Sequence, residues 1–204
     1  MTWTLAIDVG KKNMGYALYN RNVFKYDLFN IEEQIKIKKL KGDMPSKRVK
    51  VIVMWFQGLI QKYDILEVVV EKQVKKNGIA MMIENSLLTL ACIYSVNFKI
   101  YDPKNKFQYI PVKFVSEKKE HKKISIHYAW NILYNFKSDM NYFIKYKKKD
   151  DISDAICMAL MSREKDDNLV RFLITDHTNN DLLSNLTECI KFKQININNN
   201  DTYY

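Results

Sequence analysis

Three cysteines, three prolines and five glycines are all that this chain of 204 residues contains. Cys92, Cys157 and Cys189 are odd in number, far apart and never in CxxC spacing. That excludes a disulfide framework and a structural zinc site, and it suits a reducing compartment. Each reads as a small buried hydrophobe. Long apolar runs are also missing. The longest uncharged stretch lies between Glu84 and Lys99, short of the roughly 20 residues a bilayer-spanning helix needs. No charged segment leads into an apolar one at the N-terminus, so the expectation is a soluble, intracellular, non-secreted protein with no membrane partner. No internal repeat is visible. The scarcity of Gly and Pro beside abundant Lys, Asn, Ile and Tyr reads as the imprint of an AT-rich genome rather than of a function.

What is present is a core and a positive charge. The chain is 47% hydrophobic and 13% aromatic, enough to bury a sizeable interior and too much for a disordered chain. A net charge of +10 and a pI near 9.3 favour a polyanionic partner, nucleic acid or an anionic membrane surface.

Apolar periodicity predicts strands over 2–8, 14–20 and 22–31, with "GKKN" and "NRN" as the turns between them. A charged segment, 32–43, follows, and Pro45–Ser46 opens a helix through about Tyr63. "ILEVVVEKQ", 65–73, reads as a central strand buried on both faces, and 79–95 as a helix. "FKIYD" and "QYIPVKFV" are extended. Helices run from Lys118 to about Tyr134 and from Asp151 to about Arg163, and "NINNNDTYY" is a frayed tail. This order predicts a mixed α/β domain with an antiparallel start and βαβ units behind it.

Four carboxylates stand out by position. Asp8 ends the first strand beside a glycine turn. Glu71 ends "EVVVE". Asp151 and Asp154 open a helix at i, i+3 and share one face. Singly, each has an ordinary explanation: a turn residue, a charged strand stop, acids favouring a helix dipole. Together, acids from two strand ends and one helix converge only to hold a metal or to share protons. With no His or Cys cluster beside them, they suit Mg²⁺ or Mn²⁺ and not zinc.

"AIDVGKKNMGYAL", "VVVEKQ" and "KKDDISDAICMAL" resemble the motifs of the RuvC-type Holliday junction resolvases of the ribonuclease-H-like superfamily, in the branch found in poxviruses and other large DNA viruses. The resemblance spans about residues 3–165 and leaves 32–43 and everything after 165 unexplained. It implies a five-stranded mixed sheet with helices on both faces, a nuclease domain over 1–165 and a C-terminal extension over 166–204. Asp8, Glu71, Asp151 and Asp154 would then be catalytic ligands of two Mg²⁺ ions, with Mn²⁺ as substitute and no small-molecule cofactor. Asp150 would be left as a helix cap. DNA-binding lysines would be Lys11, Lys12, Lys72, Lys122 and Lys123, with His121 outside the catalytic set. The implied substrate is four-way or branched DNA, cut by a homodimer, in the cytoplasm if the source is viral. Another nuclease of this fold, or a non-catalytic DNA-binding protein built on it, fits the same residues.

Overall fold

The computed structural model describes residues 2–74, 77–107, 118–136, 138, 140–146, 149–164 and 168–170. Strands β1 (Trp3–Asp8), β2 (Asn13–Tyr19) and β3 (Phe24–Asn30) form an antiparallel meander. Then come helices α1 (Ile31–Ile37) and α2 (Met44–Lys62), strand β4 (Ile65–Glu71), helix α3 (Gly78–Ile93) and strand β5 (Asn97–Tyr101). A 3₁₀ turn (Pro103–Phe107) precedes helices α4 (Lys118–Asn135), α5 (Met140–Lys145) and α6 (Lys149–Arg163). The sheet order is β3-β2-β1-β4-β5, with β1, β4 and β5 parallel. The mixed five-stranded sheet expected from the sequence is present.

Two cores sandwich the sheet, and strand alternation sorts the residues between them. Leu5, Ile7, Val68 and Val70 join Ile52, Phe56, Ile83 and Leu87 beneath α2 and α3. Ala6, Ala17 and Val69 face Ile132, Ile152, Ile156 and Leu160 of α4 and α6. The β-branched run Val68–Val70 of β4 is buried on both faces, while Leu66 near the start of the strand is exposed. Helix α6 lies across β1 and β2, and one residue without a side chain, Gly15, sets how closely it approaches.

Several elements differ from the expectation. The charged segment contains α1, whose Ile31 and Ile35 are buried while its other positions are polar or exposed. Asn30 caps it through a bond accepted from the Glu33 N–H, 3.0 Å. Helix α2 begins one residue before Pro45, because the Asp43 carboxylate accepts from the Ser46 N–H at 2.7 Å. Helix α6 begins at Lys149, so Asp150 lies within its first turn and is not its cap. Helix α5 is a further element without a sequence signal, and Cys157 is buried as expected while Cys92 is exposed. "QYIPVKFV" and nearly all of the C-terminal extension lie outside the described residues.

Candidate active site

Strand register brings the first two acids together. β1 and β4 run parallel with Ile7 opposite Val70, so Asp8 and Glu71 follow side by side at the C-terminal ends of neighbouring strands. Adjacent strands are about 4.8 Å apart. Ile7 and Val70 point toward α2 and α3, so the next residues, Asp8 and Glu71, point to the face that carries α6. Both are half-buried.

The helix acids arrive through a glycine. Gly15 pairs with Asp8 across β1 and β2. A Cβ on Gly15 would stand 2.1 Å from the Asp151 carbonyl oxygen and 2.8 Å from the Ile152 nitrogen. Backbone therefore meets backbone where any other residue would hold them apart. This contact sets the first turn of α6 against β2 at the level of Asp8, with Asp151 there and Asp154 one turn further along. Oδ1 of Asp154 is buried without a hydrogen bond, while the residue keeps other interactions.

The loops round these strand ends are tightly tied. A Cβ on Gly10 would fall 2.1 Å from the Asn13 carbonyl oxygen, so the turn that exposes Lys11 and Lys12 closes only with glycine. Lys12 pairs with Glu32 at 3.6 Å, and its carbonyl accepts from the Ile31 N–H at 2.8 Å. After Glu71, the exposed Lys72 donates its N–H to the Tyr101 carbonyl at 2.9 Å. Gln73 returns its side-chain amide to the Glu71 carbonyl, and its own N–H goes to Glu84 Oε2, each at 2.9 Å. Glu84 sits mid-helix in α3, and nothing in the sequence marks it as belonging to this end of the sheet.

Lys122 comes from α4 and pairs with Asp150. Its pKa is raised, first by that hydrogen bond and the charge of Asp150, with Asp151 and Asp154 adding to it. It is thus the lysine the structure places beside the helix acids. Lys123 is exposed on the same helix.

The donor set suits a hard divalent cation, with carboxylate oxygens from three elements and no thiolate or imidazole among the four positions. The backbone brings the four acids to one end of the sheet. As placed, however, no group of three or more His, Cys, Asp or Glu side chains among the described residues stands close enough to hold one ion.

A sheet of this order, with acids at adjacent strand ends and a helix lying over them, defines the ribonuclease-H-like fold in its RuvC form. Thermus thermophilus RuvC, solved in complex with a Holliday junction substrate, matches with TM-score 0.54 at 15% identity, over 78% of this chain and 91% of its own. The yeast mitochondrial Holliday junction resolvase Ydc2 matches with TM-score 0.57 at 17% identity, over 93% of this chain and 85% of its own. A comparison with curated proteins gives no match. The family described as poxvirus A22 protein matches residues 3–163. The chain belongs to that family, the poxvirus branch of the Holliday junction resolvases.

Proposed function

We propose that the chain resolves four-way DNA junctions by metal-dependent phosphodiester hydrolysis at the Asp8–Glu71–Asp151–Asp154 site. Divalent cations held there would supply an activated water and neutralise charge on the attacking and leaving oxygens. Asp8 and Glu71 from the adjacent strand ends, with Asp151 and Asp154 from α6, would hold these ions through their carboxylate oxygens. The observation that carries this reading is the parallel register of Asp8 with Glu71, coupled to the Gly15–Asp151 backbone contact. Two strand ends and a helix face are thereby fixed relative to one another. Asp8 is half-buried at the strand end, and cation ligation would offset the cost of desolvating it.

The lysines work on the substrate. Lys122 is held at the acids by Asp150 and turns to a non-bridging phosphate oxygen when DNA enters. Lys11, Lys12 and Lys72 border the same strand ends and take flanking phosphates, which position the duplex without reading its sequence. Lys123 extends that rim along α4. In an infected cell the enzyme works where viral DNA replicates, in the cytoplasm, as a homodimer with one site for each of two opposed strands.

Synthetic four-way junction, linear duplex and RNA–DNA hybrid, each with and without Mg²⁺, test this directly. Junction cleavage that depends on metal is the expected result. Equal cleavage of the hybrid would assign the site to a different nuclease of this fold, and binding of junctions without cleavage at any metal concentration would leave only a DNA-binding role.

A further inference from the structure

The segment that the family resemblance left unexplained has a structure and a charge. Between Lys36 and Lys50, where α1 turns into α2, the chain carries seven basic residues against one acid, Asp43. That acid is committed to capping α2 through Ser46. Lys36, Lys38, Lys39, Lys41 and Lys50 are exposed.

Local bonds shape the elbow. The N–H groups of Lys38, Lys39 and Leu40 return to the carbonyls of Gln34, Lys36 and Ile35 at 3.0, 3.1 and 3.3 Å, so the chain turns immediately after α1. Lys39 takes φ 47° and Gly42 φ 109°, the left-handed backbone of a tight reversal. Leu40 packs into the core under α2, which anchors the turn and leaves its lysines outward.

The elbow is also fastened to the site end of the sheet. The Ile31 N–H reaches the Lys12 carbonyl at 2.8 Å. Glu32 lies between Lys12, at 3.6 Å, and Arg48, at 4.0 Å, which joins the glycine turn after β1 to the start of α2. The exposed lysines of the turn, Lys11 and Lys12, and those of the elbow therefore border one positively charged surface. It starts at the Lys11–Lys12 turn that follows Asp8 and continues past the edge of the sheet, where α1 and its elbow pack on the face away from α6. From Asp8 to the end of α1, where the elbow starts, the path crosses two strand spacings of about 4.8 Å and one seven-residue helix at about 1.5 Å per residue, roughly 20 Å in all. That reach covers about six base pairs of B-form DNA at 3.4 Å each.

We infer that the α1–α2 elbow is a second DNA contact, gripping the phosphate backbone of a duplex arm within about six base pairs of the cut. This rests on the reading of the chain as a junction nuclease and adds to it a surface separate from the catalytic acids. The partner chemistry follows from the charge: clustered lysines on a tight turn, without aromatic platforms and with their one acid, Asp43, committed to capping α2, suit a duplex backbone. They make affinity and salt dependence and leave the chemistry to the acids.

The test is the triple substitution Lys38→Ala, Lys39→Ala, Lys41→Ala in the full chain, with Lys62→Ala at the far end of α2 as control. Junction and linear-duplex affinities are measured between 50 and 200 mM salt. Losing three phosphate contacts should flatten the slope of log affinity against log salt by roughly 2 to 3. Across that fourfold range the wild type then weakens about 40-fold more than the variant. Ethylation interference should map the lost contacts to phosphates within about six base pairs of the cut, on one arm. Cleavage at saturating DNA should be unchanged, as should the melting temperature. If the triple variant fails to fold, Lys41→Ala alone should flatten the slope by about 0.9. An unchanged slope, or an equal change in Lys62→Ala, overturns the inference while leaving the nuclease reading intact. Because the slope is also read on linear duplex, a wild type that ignores junctions would refute the junction reading separately from the elbow.

Discussion

Asp8, Glu71 and Asp154 differ from their amides by little more than a charge, which makes them the residues at which chemistry and packing separate. Asp8→Asn, Glu71→Gln and Asp154→Asn should each reduce cleavage by at least about a hundredfold, as losing one preorganised charged group does. Junction affinity should hold or rise as repulsion of phosphate is relieved. Gel-shift and cleavage assays on the same junction check both halves, and full activity in any of the three would remove that residue from the site. Asp150 behaves differently. It is an ion-pair partner of Lys122 inside the first turn of α6. Asp150→Asn keeps a hydrogen-bond acceptor and should stay active, whereas Lys122→Ala should cut more slowly at saturating DNA. His127 carries a separate prediction. Burial lowers its pKa below the ordinary histidine value, so the unfolded chain takes up a proton before the folded one. Its contribution to stability is whole above about pH 6.5 and is lost as pH falls through that value toward the folded pKa. The wild type should therefore lose more melting temperature between pH 7.5 and 5.5 than His127→Gln, and equal losses would refute the assignment.

At the level of elements, the sequence discloses strand ends better than it discloses contacts between elements. Asp8 and Glu71 are legible because each closes an apolar run, and a strand with β-branched residues on both faces has its C-terminal end at the edge of a sheet. Asp151 and Asp154 are legible from helical spacing. The role of Gly15 is not, because a glycine inside a strand says only that something comes close, and the helix that does so is 136 residues away along the chain. Glu84 is hidden for a similar reason: its bond to the Gln73 N–H joins a mid-helix position to a loop. Helix α1 is obscured by composition, since only Ile31 and Ile35 of its seven residues are buried and the lysines around them swamp that period. The Gly15 contact also yields a prediction. Gly15→Ala must displace the start of α6 from β2, because the obstructing atoms are backbone. Overpacking of this kind costs about 1–3 kcal/mol. Cleavage should fall more steeply than stability, since the shift separates Asp151 and Asp154 from Asp8. A Gly15→Ala protein with wild-type kcat would show that α6 does not set the site.

For the whole molecule, four carboxylates at one end of a sheet repel one another unless cations lie between them, so Mg²⁺ or Mn²⁺ should raise the melting temperature over chelator. At a hundredfold excess over Kd the gain is about 2.7 kcal/mol, and no shift at saturating metal would count against the site. Assembly is the larger consequence. A four-way junction has near two-fold symmetry, and resolving it cleanly takes two matched nicks, which a C2 dimer supplies with one site per strand. Helix α3 offers the surface. Ala80, Ile83, Leu87, Leu90 and Ala91 are spent on the core, yet the opposite face carries Met81, Leu88 and Cys92 at i, i+7 and i+11. Leu88 is 41% exposed and Ile93, a residue beyond Cys92, is 68% exposed. A helix of 16 residues with apolar side chains on both faces holds more than one sheet can cover. Methionine and leucine on such a stripe would pack readily against a second copy of the same helix, and the Glu84–Gln73 bond ties α3 to the loop just after Glu71, so an interface there would lie one helix from each site. Light scattering should return about twice the 24.3 kDa chain mass. Met81→Glu or Leu88→Glu should give folded monomers that hold junctions at least about tenfold more weakly, as loss of a central interface side chain does, and that nick one strand at a time. A wild-type monomer that still makes paired, symmetric cuts would refute the dimer and leave α3 without a reason for its outer face.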